Sequence, residues 1–243
     1  MRLDVYLAAS GLARSRSAAK QLISFGAVTV DGKPVNKPSL EIDPDVNTVE
    51  AVAPRFVSRG GIKLQAAIDF FNIDVVGKKC IDVGASTGGF TDCLLQNGAG
   101  SVLCVDCGHG QLDPAISADK RVTSMEGFNA RDLSPEIDSG FEVCVADVSF
   151  ISQTLLHCPI ASVLSDGAVF ISLIKPQFEA GKEALNAKGI VTSEKHRKAA
   201  VENVVANAVS SGFVPVGVID SPIDGGDGNR EYLAYFKFRK GKD

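Results

Sequence analysis

The segment Cys80-Ile-Asp-Val-Gly-Ala-Ser-Thr-Gly-Gly-Phe90 constrains this chain more than any other. A short strand-like run, Cys80–Val83, passes directly into a turn with glycine at 84, 88 and 89, and a helical stretch, Phe90–Gln96, follows. A glycine-rich turn between a strand and a helix lets the backbone approach a ligand at the carboxyl edge of a parallel sheet. The turn departs from G-x-G-x-x-G because Ser86 stands at the second glycine. It departs from G-x-x-x-x-G-K-[ST] because no lysine follows. Nicotinamide and nucleoside-triphosphate readings both lose ground.

The rest of the chain extends this unit. Further strands are predicted near Val102–Val105, Val122–Met125, Val143–Ala146 and Val169–Ile174, with helical stretches at Ile151–Leu164 and Glu194–Ser210. Apolar strands separated by helices indicate a parallel sheet covered on both faces. Val214–Ile219 and Glu231–Phe238 follow, joined by a Gly/Asp-rich connection without a helix, which favours an antiparallel hairpin. The expected fold is therefore α/β, Rossmann-like, with seven mostly parallel strands and an antiparallel last one. Hydrophobic residues at 45% and charged residues at 22% exclude disordered, collagen-like and bare coiled-coil chains. No apolar run reaches the ~20 residues of a membrane span. Met1-Arg-Leu-Asp is no secretory leader, and six scattered cysteines suit a reducing cytoplasm.

Charge divides the chain. Residues 1–63 hold nine Lys/Arg against six Asp/Glu, and the remainder sixteen against twenty-three. A small basic module joined to a larger acidic one is expected, with boundaries at 1–53, a proline- and glycine-bearing linker at 54–61, and 62–243. In the first module Leu3, Tyr6 and Leu7 have helical spacing. Ser15 can cap a second helix that Gly26 ends, and Val28 and Val30 alternate ahead of an Asp31-Gly32 turn. Arg14, Arg16 and Lys20 lie within two helical turns. They fit a phosphate-binding face or an ordinary solvated one.

Asp106 ends the second strand, where a carboxylate can accept from both hydroxyls of an adenosine ribose. Three more charges fall where strand logic brings them to the same edge: Asp147 and Lys175 after their strands, and Glu231 at the start of the antiparallel one. Lys63, beside the linker, can reach that edge too. A lysine directly after the buried strand Val169–Ile174 is costly unless partnered or functional. Cys104 and Cys107 form a C-x-x-C with no second pair nearby, so no metal site is expected.

Four resemblances refine these readings. Arg2-Leu3-Asp4, Ser15-Arg16, Gly26-x-Val28-x-Val30-Asp31-Gly32 and Lys37-Pro38 resemble the alpha-L RNA-binding domain. That implies RNA contacts by Arg2, Arg14, Arg16 and Lys20. The D-x-G-x-x-x-G-G turn resembles the S-adenosylmethionine loop of class I methyltransferases. Lys63, Asp147, Lys175 and Glu231 resemble the catalytic tetrad of FtsJ-type ribose 2′-O-methyltransferases. Ser-Arg-Gly-Gly-x-Lys-Leu, Gly108-x-Gly-Gln-Leu112, Asn129-x-Arg131 and Asp-Val-Ser-Phe-Ile-Ser are similar to the TlyA, or hemolysin A, branch. Asp113–Ser117 departs from it in lacking an aromatic and a basic residue.

The resemblance implies an S-adenosylmethionine-dependent rRNA methyltransferase acting on a cytidine ribose, with rRNA or ribosomal subunits as partner and neither metal nor membrane. Asp82, Gly84, Ser86, Gly88, Gly89, Asp106 and Asn129 would bind the cofactor. Lys175 would be the general base, helped by the charge of Lys63, while Asp147 and Glu231 orient the amines. Competing expectations are a membrane-active hemolysin and a non-catalytic RNA-binding factor.

Overall fold

A computed structural model describes residues 1–52, 54–226 and 228–241. The chain divides into two compact units, Met1–Phe56 and Val57–Asp243. The expected module end at residue 53 lies outside the described residues.

In the first unit, helices α1 (Leu3–Ala9) and α2 (Arg16–Ser24) pack on a small antiparallel sheet. Its strands are β1 (Val28–Val30), β2 (Lys33–Pro34) and β3 (Val49–Ala51), in the order β2-β1-β3. The Ser15 hydroxyl accepts from the Ala18 N–H at 3.1 Å and so caps α2. Asp31 and Gly32 both take positive φ, +51° and +71°, the backbone that lets a two-residue turn follow the strand twist. Leu3, Leu7, Ala19, Ile23 and Val28 form a closed apolar core.

The second unit runs α3 (Arg59–Phe71), β4 (Lys79–Val83), α4 (Gly89–Gln96), β5 (Ser101–Asp106), α5 (Pro114–Ser117), β6 (Val122–Glu126) and β7 (Phe141–Ala146). It continues with α6 (His157–Val163), β8 (Leu164–Ile174), α7 (Pro176–Glu179), α8 (Glu194–Ser210), β9 (Phe213–Asp220) and β10 (Tyr232–Phe238). The seven strands lie in the order β6-β5-β4-β7-β8-β10-β9, and β10 is antiparallel to both its neighbours. Tyr232 pairs with Ile174, so the start of β10 meets the end of β8. The reversal brings the residues just before β10 to the edge where the parallel strands end. Phe141, Phe170, Phe213 and Phe236, each fully buried, anchor the core.

Two elements differ from expectation. Helix α3 begins at Arg59, inside the stretch read as linker. Its glycines serve close packing: a Cβ on Gly60 would stand 3.2 Å from the Phe90 ring, so α3 lies tight against α4. The single helix expected over Ile151–Leu164 is instead a 3-10 turn, Gln153–Leu155, followed by the short α6. Pro159 has no N–H and is tolerated only in a first helical turn, so α6 starts just before it. Among the described residues no helix is long and apolar enough to cross a membrane.

Candidate active site

The turn after β4 is shaped by close approach. Gly84 has φ +85°, and a Cβ there would lie 2.5 Å from the Asp147 carbonyl oxygen, so only glycine lets the turns after β4 and β7 meet. The Gly84 N–H donates to Val105 O at 2.8 Å, and the Asp147 N–H to Val83 O at 3.0 Å. Ser86 also carries positive φ, +46°, held there because its N–H donates to Asp106 Oδ2 at 2.8 Å. The other Asp106 oxygen accepts from the Gly108 N–H at 2.7 Å. Two backbone donors thus fix this carboxylate at the end of β5, and an ionised carboxylate retains lone pairs for a ligand diol.

Two clefts open at this edge and share Gly84, Ser86, Asp147 and Ser149. The larger, about 570 Å³, has Val105, Phe128, Ala130, Ile151 and Leu156 as apolar walls and Asp106 and Asn129 as polar ones. The Asn129 side chain is pre-set, accepting from the Arg131 N–H at 3.1 Å. The smaller, about 180 Å³, is lined by Ser58, Gly60, Thr87, Gly89, Phe90 and Lys175 among others. An apolar slot with a carboxylate at its rim fits a flat heterocycle carrying a ribose. The glycine turn leaves the smaller cleft open for a charged tail.

The four charged residues form two ion pairs. Lys175 Nζ lies 2.6 Å from Asp147 Oδ1 and donates to Ser149 Oγ at 2.7 Å, in the wall of the smaller cleft. Lys63, carried by α3, is buried and bonded to Glu231, itself buried at the start of β10. Lys63 lines neither cleft, and its charge is matched by its own carboxylate. Each amine is thus held by its own carboxylate, Lys63 by Glu231 and Lys175 by Asp147.

Three further sequence expectations need correction. Asp82 is fully buried and lines neither cleft; its Oδ2 accepts from the Thr91 hydroxyl at 2.7 Å, tying β4 to α4 behind the turn. Burial, opposed by that hydrogen bond, pushes its carboxyl up to about 7. Gly88 faces Leu112 rather than a cleft: a Cβ would stand 2.8 Å from that side chain, and φ is +88°. Arg14 precedes α2 because Ser15 caps it, so only Arg16 and Lys20 share that helix. Of the first unit's cations, Arg2 and Arg16 both grip the buried Asp4, Arg2 Nε at 3.0 Å and Arg16 at 3.0 Å, while Arg14 and Lys20 stand exposed.

Ser149, Gln111 and Phe150 lie in the quoted motifs but had no role assigned from the sequence. Gln111 accepts from the Ser86 hydroxyl at 3.1 Å. Phe150 is 92% exposed at the larger cleft, with φ +63° and its ring 5.2 Å from that of Phe178. Cys104 is buried and its thiol pushed up to about 12 by that burial, which makes it unreactive beside the exposed Cys107. Among the described residues no three His, Cys, Asp or Glu side chains are grouped to hold a metal.

This sheet order, with a glycine turn after the first strand of the large unit and a fixed carboxylate after the second, defines a class I methyltransferase. Residues 56–238 match the FtsJ-like methyltransferase model, and residues 1–46 match the S4 domain. The chain belongs to the FtsJ-like methyltransferase family, in the branch of TlyA and hemolysin A. It is 42% identical to hemolysin A of Brachyspira hyodysenteriae, covering 97% of this chain and 99% of that protein. It is 41% identical to the 16S/23S rRNA (cytidine-2′-O)-methyltransferase TlyA of Mycobacterium tuberculosis, covering 97% and 89%. A solved structure described as a hemolysin from Streptococcus thermophilus matches with TM-score 0.78 and 40% identity, covering 99% of this chain and 89% of the other.

Proposed function

We propose that this chain methylates the 2′-hydroxyl of a cytidine ribose in ribosomal RNA, using S-adenosylmethionine as methyl donor. The observation that carries the reading is the Lys175 amine in the cleft wall, gripped by Asp147 and Ser149, both of which line both clefts. The residues present suit the donor. Asp106 would take the ribose diol, the apolar walls with Asn129 the adenine, and the turn at Gly84, Ser86 and Gly89 the amino-acid end. The donor supplies a methyl group on a positively charged sulfur, which leaves as a neutral thioether.

The chain's own residues handle the acceptor. A ribose hydroxyl attacks well only as its proton departs, and Lys175 Nζ in its neutral form is the group placed to take that proton. Asp147 holds the resulting ammonium. Lys63 and Glu231 form a buried pair whose two charges cancel, and it supports the edge where β10 meets β8. Holding acceptor and donor in line contributes several kcal/mol by itself. Phe150 carries backbone strain of ~1–3 kcal/mol to hold an exposed ring beside the cleft, a surface on which an unstacked base can rest. The similarity of the small unit to the S4 domain, and the rRNA named for the mycobacterial relative, support an RNA acceptor.

Lys175→Ala tests the reading. Transfer of labelled methyl to ribosomes lacking the modification should vanish, while affinity for S-adenosylmethionine stays within about twofold. Undiminished transfer by the variant would remove Lys175 as the base, and nuclease mapping of the labelled RNA identifies the nucleotide.

A further inference from the structure

The Lys175 amine has two protein contacts of different kinds. The Asp147 contact is a close ion pair, but among the described residues no donor is directed at Asp147 Oδ1 with hydrogen-bond geometry. The directed hydrogen bond goes to Ser149 Oγ, at 2.7 Å. Ser149 follows β7 by three residues and borders both clefts, so its hydroxyl stands where they join. A lysine amine keeps N–H donors whether charged or neutral, so an oxygen that accepts one of them holds the nitrogen before and after it takes a proton and leaves its lone pair free for the acceptor hydroxyl. Of the two contacts, only the one to Ser149 is a directed hydrogen bond that fixes where that lone pair points.

We infer that Ser149 is the positioning residue that keeps the Lys175 nitrogen aimed into the cleft in its neutral state. This rests on the reading of Lys175 as base. Ser149 acts through the Lys175 amine and itself takes no proton from the acceptor. It fixes the direction from which the amine meets the acceptor hydroxyl, and loss of such a constraint costs rate rather than affinity. Misplacement of a reacting group by about 1 Å can cost ~10²-fold.

The test uses the full-length protein with Ser149→Ala and Ser149→Thr. Methyl transfer to undermethylated ribosomes gives kcat and KM, and calorimetry with S-adenosylhomocysteine gives cofactor-site affinity. Side-chain ¹³Cε relaxation in lysine-labelled protein, with Lys175→Arg for assignment, reports the order of Lys175. Expected for Ser149→Ala is a kcat lower by roughly 10–100-fold, with KM and affinity within twofold, and a more mobile Lys175. Ser149→Thr, which keeps the hydroxyl, should recover most of the rate. Unchanged kcat in Ser149→Ala, no recovery in Ser149→Thr, or a parallel loss of S-adenosylhomocysteine affinity would each overturn the inference. If no protein, wild type included, transfers methyl groups, the base reading fails. The relaxation result then decides the positioning alone: a Lys175 equally ordered without the hydroxyl overturns it.

Discussion

Asp82→Asn probes the acid buried behind the glycine turn that follows β4. The carboxyl has an ordinary value of 3.8 and is pushed up to about 7 by burial. The folded state therefore keeps a proton that the unfolded chain releases over that range. Below about pH 4 both states hold it and the burial cost is absent. As pH rises from about 4 to 7 the unfolded chain ionises alone, so stability falls with pH; above 7 both states ionise and the loss levels off. A difference of about 3 between the two values corresponds to at most about 4 kcal/mol, and relaxation of the surroundings brings the expectation to about 2–4 kcal/mol.

Asparagine preserves an oxygen for the Thr91 hydroxyl and cannot ionise. Urea unfolding of both proteins between pH 4.5 and 8, followed by far-ultraviolet circular dichroism, isolates Asp82 because the other acids cancel in the difference. The gain of the variant over wild type should grow by about 2–4 kcal/mol from the acid end to pH 7.5. A difference flat to within about 0.5 kcal/mol would show that water or a cation reaches the carboxylate and that the proton is not held.

Asp4 should behave with the opposite sign. The Arg2 guanidinium chiefly, with Arg16, holds its carboxyl well below the usual carboxylate range. The stabilisation is present above about pH 4 and lost as pH falls, so amide protection in residues 1–52, relative to intrinsic exchange rates at each pH, should fall in acid, and Asp4→Asn should remove that dependence. Gly84→Ala would force a methyl group to 2.5 Å from the Asp147 carbonyl at a positive φ. S-adenosylhomocysteine binding should fall at least tenfold by calorimetry, and binding at wild-type strength would show that the turn is not the cofactor cradle.

Much of the large unit was readable because its strands are buried on both faces, which leaves continuous apolar runs. Glu194–Ser210 was predicted with its observed ends, and in the structure the Ser193 hydroxyl caps its start. The units divide inside the expected linker, but its last three residues open α3, because a glycine pair looks the same in sequence whether it loosens a chain or lets two helices touch. Lys175 was legible as a charge after an apolar strand. The pairing of Lys63 with Glu231 was not, because which amine meets which carboxylate depends on where α3 lies against β10. Ser149 was seen only as part of the Asp-Val-Ser-Phe-Ile-Ser motif and was given no role, because a hydroxyl two residues past an acid has no periodic or compositional signature. Asp82 was misread as a ligand contact because a strand-end acid gives no sign of which way its side chain turns.

The bond between Lys63 and Glu231 spans 168 residues. A ribosome making this chain releases the lysine long before its acidic partner, so the helix that carries it must stay wet at one end until the final hairpin docks. Completion of this edge of the sheet is thereby tied to arrival of the last strand, and a product cut short before that point would leave an ammonium with nowhere to be buried.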